Sequence, residues 1–156
     1  MAFWLFKTEP NEYSIDNLAQ EKRGYGVWDG IRNYQARNFL RDDVAKGDLV
    51  FIYHSACKPT AIVGIAKVVR AAYADPVQFQ ADSHYFDPKS TEQNPRWFCV
   101  DVAYQSRFSS PVTLSEIKRE PILESMALLK QARLSVSPVT EQEWEAILRL
   151  SVQQNG

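Results

Sequence analysis

The chain has 156 residues and a net charge of −1, with 45% hydrophobic and 24% charged residues. That length fits one domain, residues 1–156, with a proper core, and the near-neutral charge excludes a globally basic nucleic-acid coat. No apolar run approaches the ~20 residues that cross a bilayer, so no membrane partner is expected.

In chain order, FWLFK (3–7) predicts a short apolar strand closed by Pro10. Ser14 reads as the N-cap of a short helix with Ile15 and Leu18 on its inner side. Gly24 and Gly26 bound a loop leading to Trp28, and a second helix follows over about 33–41. DLVFIY (48–53) is a buried strand, and 61–73 is a long one with Gly64 as its bulge. Residues 74–95 are polar and punctuated by proline, a long surface excursion before a further strand at 97–108. Two capping boxes, Thr113 with Glu116 and Thr140 with Glu143, start the last helices. Trp144, Ile147, Leu148 and Leu150 give the final helix its apolar face. Short strands at uneven spacing predict an α+β fold: a mixed, mostly antiparallel sheet curled into a small β-barrel with short helices around it.

The stretch WDGIRNYQARNF (28–39) carries the strongest functional signal. It sets Trp, Tyr and Phe beside two Arg, two Asn and a Gln, the groups a flat, hydrogen-bonding heterocycle asks of a protein. Catalytic patterns are weak by comparison. There are only two histidines, and no nucleophile elbow, phosphate-binding glycine loop or HExxH motif. His54, Cys57, His84 and Cys99 have no regular metal-ligand spacing, so no metal or cofactor is expected. An enzyme using His54 with Ser55 or Cys57 lacks a third, orienting group. The two cysteines read as reduced thiols of a cytoplasmic protein without a secretory leader.

The segments FWLFKTEP (3–10), WDGIRNYQARNFLR (28–41), FIYHS (51–55), GIAKVV (64–69), HYFDP (84–88), NPRWFCVDV (94–102) and RLSVSPVT (133–140) together resemble the EVE domain family. They occur in that family's order and span nearly the whole chain. The resemblance implies a PUA-like barrel, similar to the YTH domains that read methylated adenine in RNA. It also implies a non-enzymatic module that reads a modified base, foremost modified cytosine in DNA. An RNA-binding module and a nucleotide-acting enzyme are the alternatives.

Within that reading Trp28 is the expected stacking wall, worth about 1–3 kcal/mol per base. Extruding a base from a duplex costs a few kcal/mol, so a second wall and edge-reading groups are required. Tyr53, His54 and Ser55 are the next ligand-binding candidates, and strand alternation favours Tyr53 with Ser55. Asn33 is either an edge reader or a helix N-cap, and Ser135 is a pocket lip. Lys7, Arg32, Arg37, Arg41, Lys130 and Arg133 form the expected phosphate-facing rim, with Arg37 and Arg41 on one helix face. Tyr85 and Phe86 are expected as a flap over the pocket, while Trp4, Trp97 and Trp144 belong to the core. The expected partner is nucleic acid carrying a modified base, bound by a monomer, with a dimer as the alternative.

Overall fold

The computed structural model describes residues 1–153. Six strands form one sheet: β1 (Phe3–Thr8), β2 (Gly26–Trp28), β3 (Leu49–His54), β4 (Ala61–Ala74), β5 (Phe98–Thr113) and β6 (Val136–Val139). Their order is β2-β5-β4-β3-β1-β6, and only the β1–β3 pair is parallel. Five short helices pack around the sheet: α1 (Ile15–Ala19), α2 (Tyr34–Asn38), α3 (Leu114–Arg119), α4 (Ala127–Lys130) and α5 (Glu141–Gln153). The mixed, mostly antiparallel α+β architecture is thus the expected one. The hydrogen-bonded ladder is linear, ending at β2 on one side and β6 on the other.

The sheet nevertheless bends back on itself. β1 and β2 stand four positions apart in the sheet, about 19 Å if it were flat. Yet the rings of Phe6 on β1 and Trp28 on β2 lie 5.6 Å apart. Only strong curling brings them together. Bulges supply part of it: the β4–β5 register shifts between Ile62 and Gly64 and at three further places.

Alternation along the strands creates two cores. Trp4, Phe6, Val50, Ile52, Val100 and Val102 point inward, where α1 and α2 close the concave side. Leu5, Phe51, Tyr53, Ile62 and Val112 point outward, under α3, α4 and α5. Burial on both faces is why FWLF and LVFIY read as continuous apolar runs. On the outer face Trp144 of α5 stacks on Phe51 at 3.7 Å and on Phe3 at 4.6 Å. The helix starts are the predicted ones: Ser14 caps α1, and the Thr113–Glu116 and Thr140–Glu143 boxes bond reciprocally. Sequence reasoning missed β2 and β6, treating Trp28 as a loop residue.

Candidate nucleic-acid interface

The curling leaves a seam, and the seam is a cleft of about 770 Å³. Its walls come from both ends of the sheet. Lys7, Thr8 and Glu9 leave β1, and Glu12 and Tyr13 follow in the next turn. Val27 and Trp28 end β2 and lead into Asp29, Gly30, Ile31 and Arg32. Ser55 lies just past β3, Tyr85 comes from the long excursion, and Ala132, Arg133 and Ser135 precede β6. Backbone bonds stitch the rim: Lys7 N–H donates to Ser135 O (2.9 Å) and Ser55 N–H to Thr8 O (3.0 Å).

A buried carboxylate organises the WDGIR turn. Asp75 Oδ2 accepts from Gly30 N (2.9 Å) and Arg32 Nη1 (3.0 Å), while Oδ1 accepts from Val77 N (2.8 Å). Arg32 in turn donates from Nε and Nη2 to the Tyr85 carbonyl, at 3.1 and 2.8 Å. Its guanidinium also lies 5.5 Å from the Tyr85 ring and 5.3 Å from that of Trp97. Gly30 has φ +76°, and a Cβ there would meet the Tyr85 ring at 3.1 Å. Glycine is therefore required both for the turn and for the approach of the ring. Together these contacts set Tyr85 at the cleft, half-buried, as the aromatic wall.

Trp28 lines the cleft as expected, but with its role altered. It sits on β2, is only 6% exposed, and is braced by Phe6 and edge-on by Tyr13 at 6.0 Å. So little open surface leaves no free face for a base to stack on. What remains is its edge: among the described residues nothing accepts from Nε1–H, and that nitrogen is not sealed from solvent. Tyr85, singled out in the sequence only as a flap, is the better stacking surface.

Charge is divided across the cleft. Glu9, Glu12 and Asp29 line the cleft with Tyr85, whose phenol is raised above its ordinary value, first by burial and then by Glu12, Asp29 and Glu9. Asp29 is itself raised, first by the protein crowding round it and then by Asp75, with Arg32 opposing. Opposite, Lys7 Nζ donates to Ala132 O at 2.6 Å, and burial lowers its pKa. Arg133 stands exposed beside it. Arg32 is spoken for by Asp75 and the Tyr85 carbonyl, so it positions rather than binds phosphate. A phosphate is favoured only at the Lys7–Arg133 side, and amino or N–H donors at the acidic side.

Six expected residues thus meet at the cleft: Trp28, Ser55, Ser135, Lys7, Arg32 and Arg133. Six do not line it. Asn33 caps α2, accepting from Ala36 N at 2.9 Å. Tyr53 is buried in the outer core. His54 Nε2 accepts from Ile15 N (3.1 Å), anchoring the start of α1, and burial lowers its pKa. The strand ends at His54, with a register shift between Ile52 and Tyr53, so alternation does not carry through to Ser55. Arg37 Nη1 donates to Arg96 O (2.9 Å), and Arg41 pairs with Asp42. α2 passes into a π-helical turn over Phe39–Asp43, which breaks the i,i+4 face the two were expected to share. Lys130 is exposed at the end of α4. Asn33 and Arg133 do meet in a smaller adjoining cleft of about 250 Å³, with Gln35 and Gln131. Sequence reasoning missed Tyr13, which no motif marks, and Glu9, Glu12, Asp29 and Asp75, because carboxylates carry no weight in a search for phosphate contacts.

The EVE domain model matches residues 2–150 of this chain. The chain belongs to the EVE domain family. It is 39% identical to mouse thymocyte nuclear protein 1 over 165 residues, covering 95% of this chain and 73% of that protein. Among solved structures it is similar to a hypothetical protein from Leishmania major, with a TM-score of 0.94 and 44% identity over 100% of this chain and 98% of that one. It is also similar to the human THYN1 protein in complex with 5-methylcytosine-containing DNA. There the TM-score is 0.92 at 36% identity, over 97% of this chain and 98% of that one.

Proposed function

We propose that this chain is a DNA-binding module that reads a modified cytosine, taking the base into the cleft at the sheet's seam. The observation that carries the reading is that cleft, set between the aromatic wall of Tyr85, the open edge of Trp28 and the hydroxyl-bearing Ser55 and Ser135. The likeness to the human THYN1 protein, solved with 5-methylcytosine-containing DNA, supports the choice of base and polymer. A base stacked on Tyr85 gains about 1–3 kcal/mol. Lys7 and Arg133 take the phosphate on the basic side, and the weak net charge gives a short footprint with a shallow salt dependence. Binding proceeds without turnover; the imidazole of His54, beside the cleft-lining Ser55, is committed to the α1 backbone. The PUA-like barrel belongs to the same proposal, since β2 and the segment leading into β6 both border the cleft and make seam and site coincide. One EVE domain, 1–156, acts as a monomer, and a reducing compartment, the cytoplasm, suits the free thiols Cys57 and Cys99.

The test is fluorescence anisotropy with matched oligonucleotides carrying one 5-methylcytosine or one cytosine. The modified strand is expected to bind more tightly, with the preference lost together with affinity in Tyr85→Ala. Equal affinity for both strands refutes the reading. Running the same series with RNA separates the RNA alternative.

A further inference from the structure

The cleft carries two polar groups, on consecutive residues, to which the binding reading above assigns no partner atom. Trp28 is more than nine-tenths buried, yet its Nε1–H has no acceptor among the described residues. Trp4 and Trp97, by contrast, donate to Asp48 (2.9 Å) and Asp87 (2.7 Å). Among the described residues Trp144 also has no acceptor, but it lines no part of this cleft. A buried indole N–H left open to a cavity is a donor awaiting a partner. The next residue, Asp29, has an exposed carboxylate that accepts from no other residue among those described, and it lines the same cleft. Consecutive residues on a strand face opposite ways, but β2 ends at Trp28 and the chain turns at Gly30, so both reach one side.

We propose that Trp28 Nε1–H and the Asp29 carboxylate form a donor–acceptor pair that distinguishes 5-methylcytosine from thymine. The proposal rests on the modified-cytosine reading and adds to it the groups that read the base edge. Cytosine offers an acceptor at N3 beside a donor at the N4 amino group. The indole N–H meets the first and the carboxylate accepts from the second, the pairing that carboxylates make with cytosine N4 elsewhere. Thymine carries the same methyl group and stacks alike, but reverses the pattern with N3–H and O4. It would set O4 against the carboxylate and N3–H against the indole N–H, leaving four polar groups unpaired. A protein that sensed only the methyl and the stacking surface would not separate the two bases. Asp75, Arg32 and Tyr85 hold the turn that presents the pair, and none of them needs to touch the base edge.

The experiment measures affinity for oligonucleotides differing at one position: 5-methylcytosine, cytosine or thymine. They are used single-stranded and in duplex opposite guanine. A thymine–guanine mismatch opens more easily, so the duplex arm is biased against the proposal. Wild type is expected to prefer 5-methylcytosine over thymine by at least about tenfold. Asp29→Asn, whose amide can donate or accept, should cut that ratio to about threefold or less by improving thymine binding. Trp28→Phe, which keeps the ring and removes the N–H, should lower the same ratio. Thermal melting confirms that both variants fold. Wild type binding 5-methylcytosine and thymine equally overturns the pair, as does an unchanged ratio in folded Asp29→Asn. Failure to prefer 5-methylcytosine over cytosine instead strikes the modified-base reading, so the two failures are distinguishable.

Discussion

The two faces of the sheet use the same strands for opposite ends. On the outer face, Phe51, Phe3 and Trp144 stack ring on ring beneath α5 in an apolar cluster. On the inner face, Phe6 and Trp28 begin an equally buried cluster that runs out into a cleft lined by carboxylates, an ammonium and hydroxyls. The seam makes the difference: α3, α4 and α5 cover the outer side, whereas α1 and α2 cover the inner side and leave it open at the cleft. Stability and recognition should therefore separate by face, and substitutions can show whether they do.

The largest effect belongs to the outer face. Trp144→Ala should cost about 3–5 kcal/mol in urea denaturation and leave oligonucleotide affinity per folded molecule unchanged. A loss of base preference there would break the division between faces. Asp75→Ala should act on both properties. It leaves the part-buried Arg32 guanidinium unpaired and frees the Gly30 turn, for a stability loss of about 2–3 kcal/mol. Anisotropy titrations of the same variant should show weakened binding as Tyr85 loosens. Tyr85→Ala should move affinity by about 1–3 kcal/mol and the melting temperature hardly at all.

Asp29→Asn should show the smallest change in stability, with its own pH signature. In the folded chain the carboxyl is raised, so its ionisation opposes folding at neutral pH, and this penalty fades as pH falls through the raised value. Because the side chain is exposed, the gain at neutral pH should be a few tenths of a kcal/mol. Denaturation curves of wild type and variant should then converge in acid. A variant less stable than wild type at neutral pH would make Asp29 a structural residue.

Much of this was legible in the chain because it depends on local pattern. Apolar runs marked β1 and β3, and the capping boxes located α3 and α5. The segments missed were those that only tertiary pairing creates. GVW is three residues between glycines and becomes β2 by pairing with Val100–Val102 of β5. VSPV carries Pro138 and becomes β6 at the sheet edge, where proline is tolerated. In the site, Trp28, Ser55 and Ser135 were readable from residue type beside the aromatic and YHS signals. Asp75 was not, because it bonds Gly30 from 45 residues away, a distance no motif spans. Arg37 and Arg41 misled because charge alone does not reveal that a backbone carbonyl and a neighbouring acid already engage them.

The open indole of Trp28 offers the most direct test of the cleft as the reading site. In ¹H–¹⁵N correlation spectra, adding a 5-methylcytosine oligonucleotide should shift the Trp28 Nε1–H resonance strongly. The Trp4 and Trp97 resonances, with their acceptors already in place, and that of Trp144 on the far face should stay near their free positions. A Trp28 signal that does not move while the oligonucleotide binds would contradict the account.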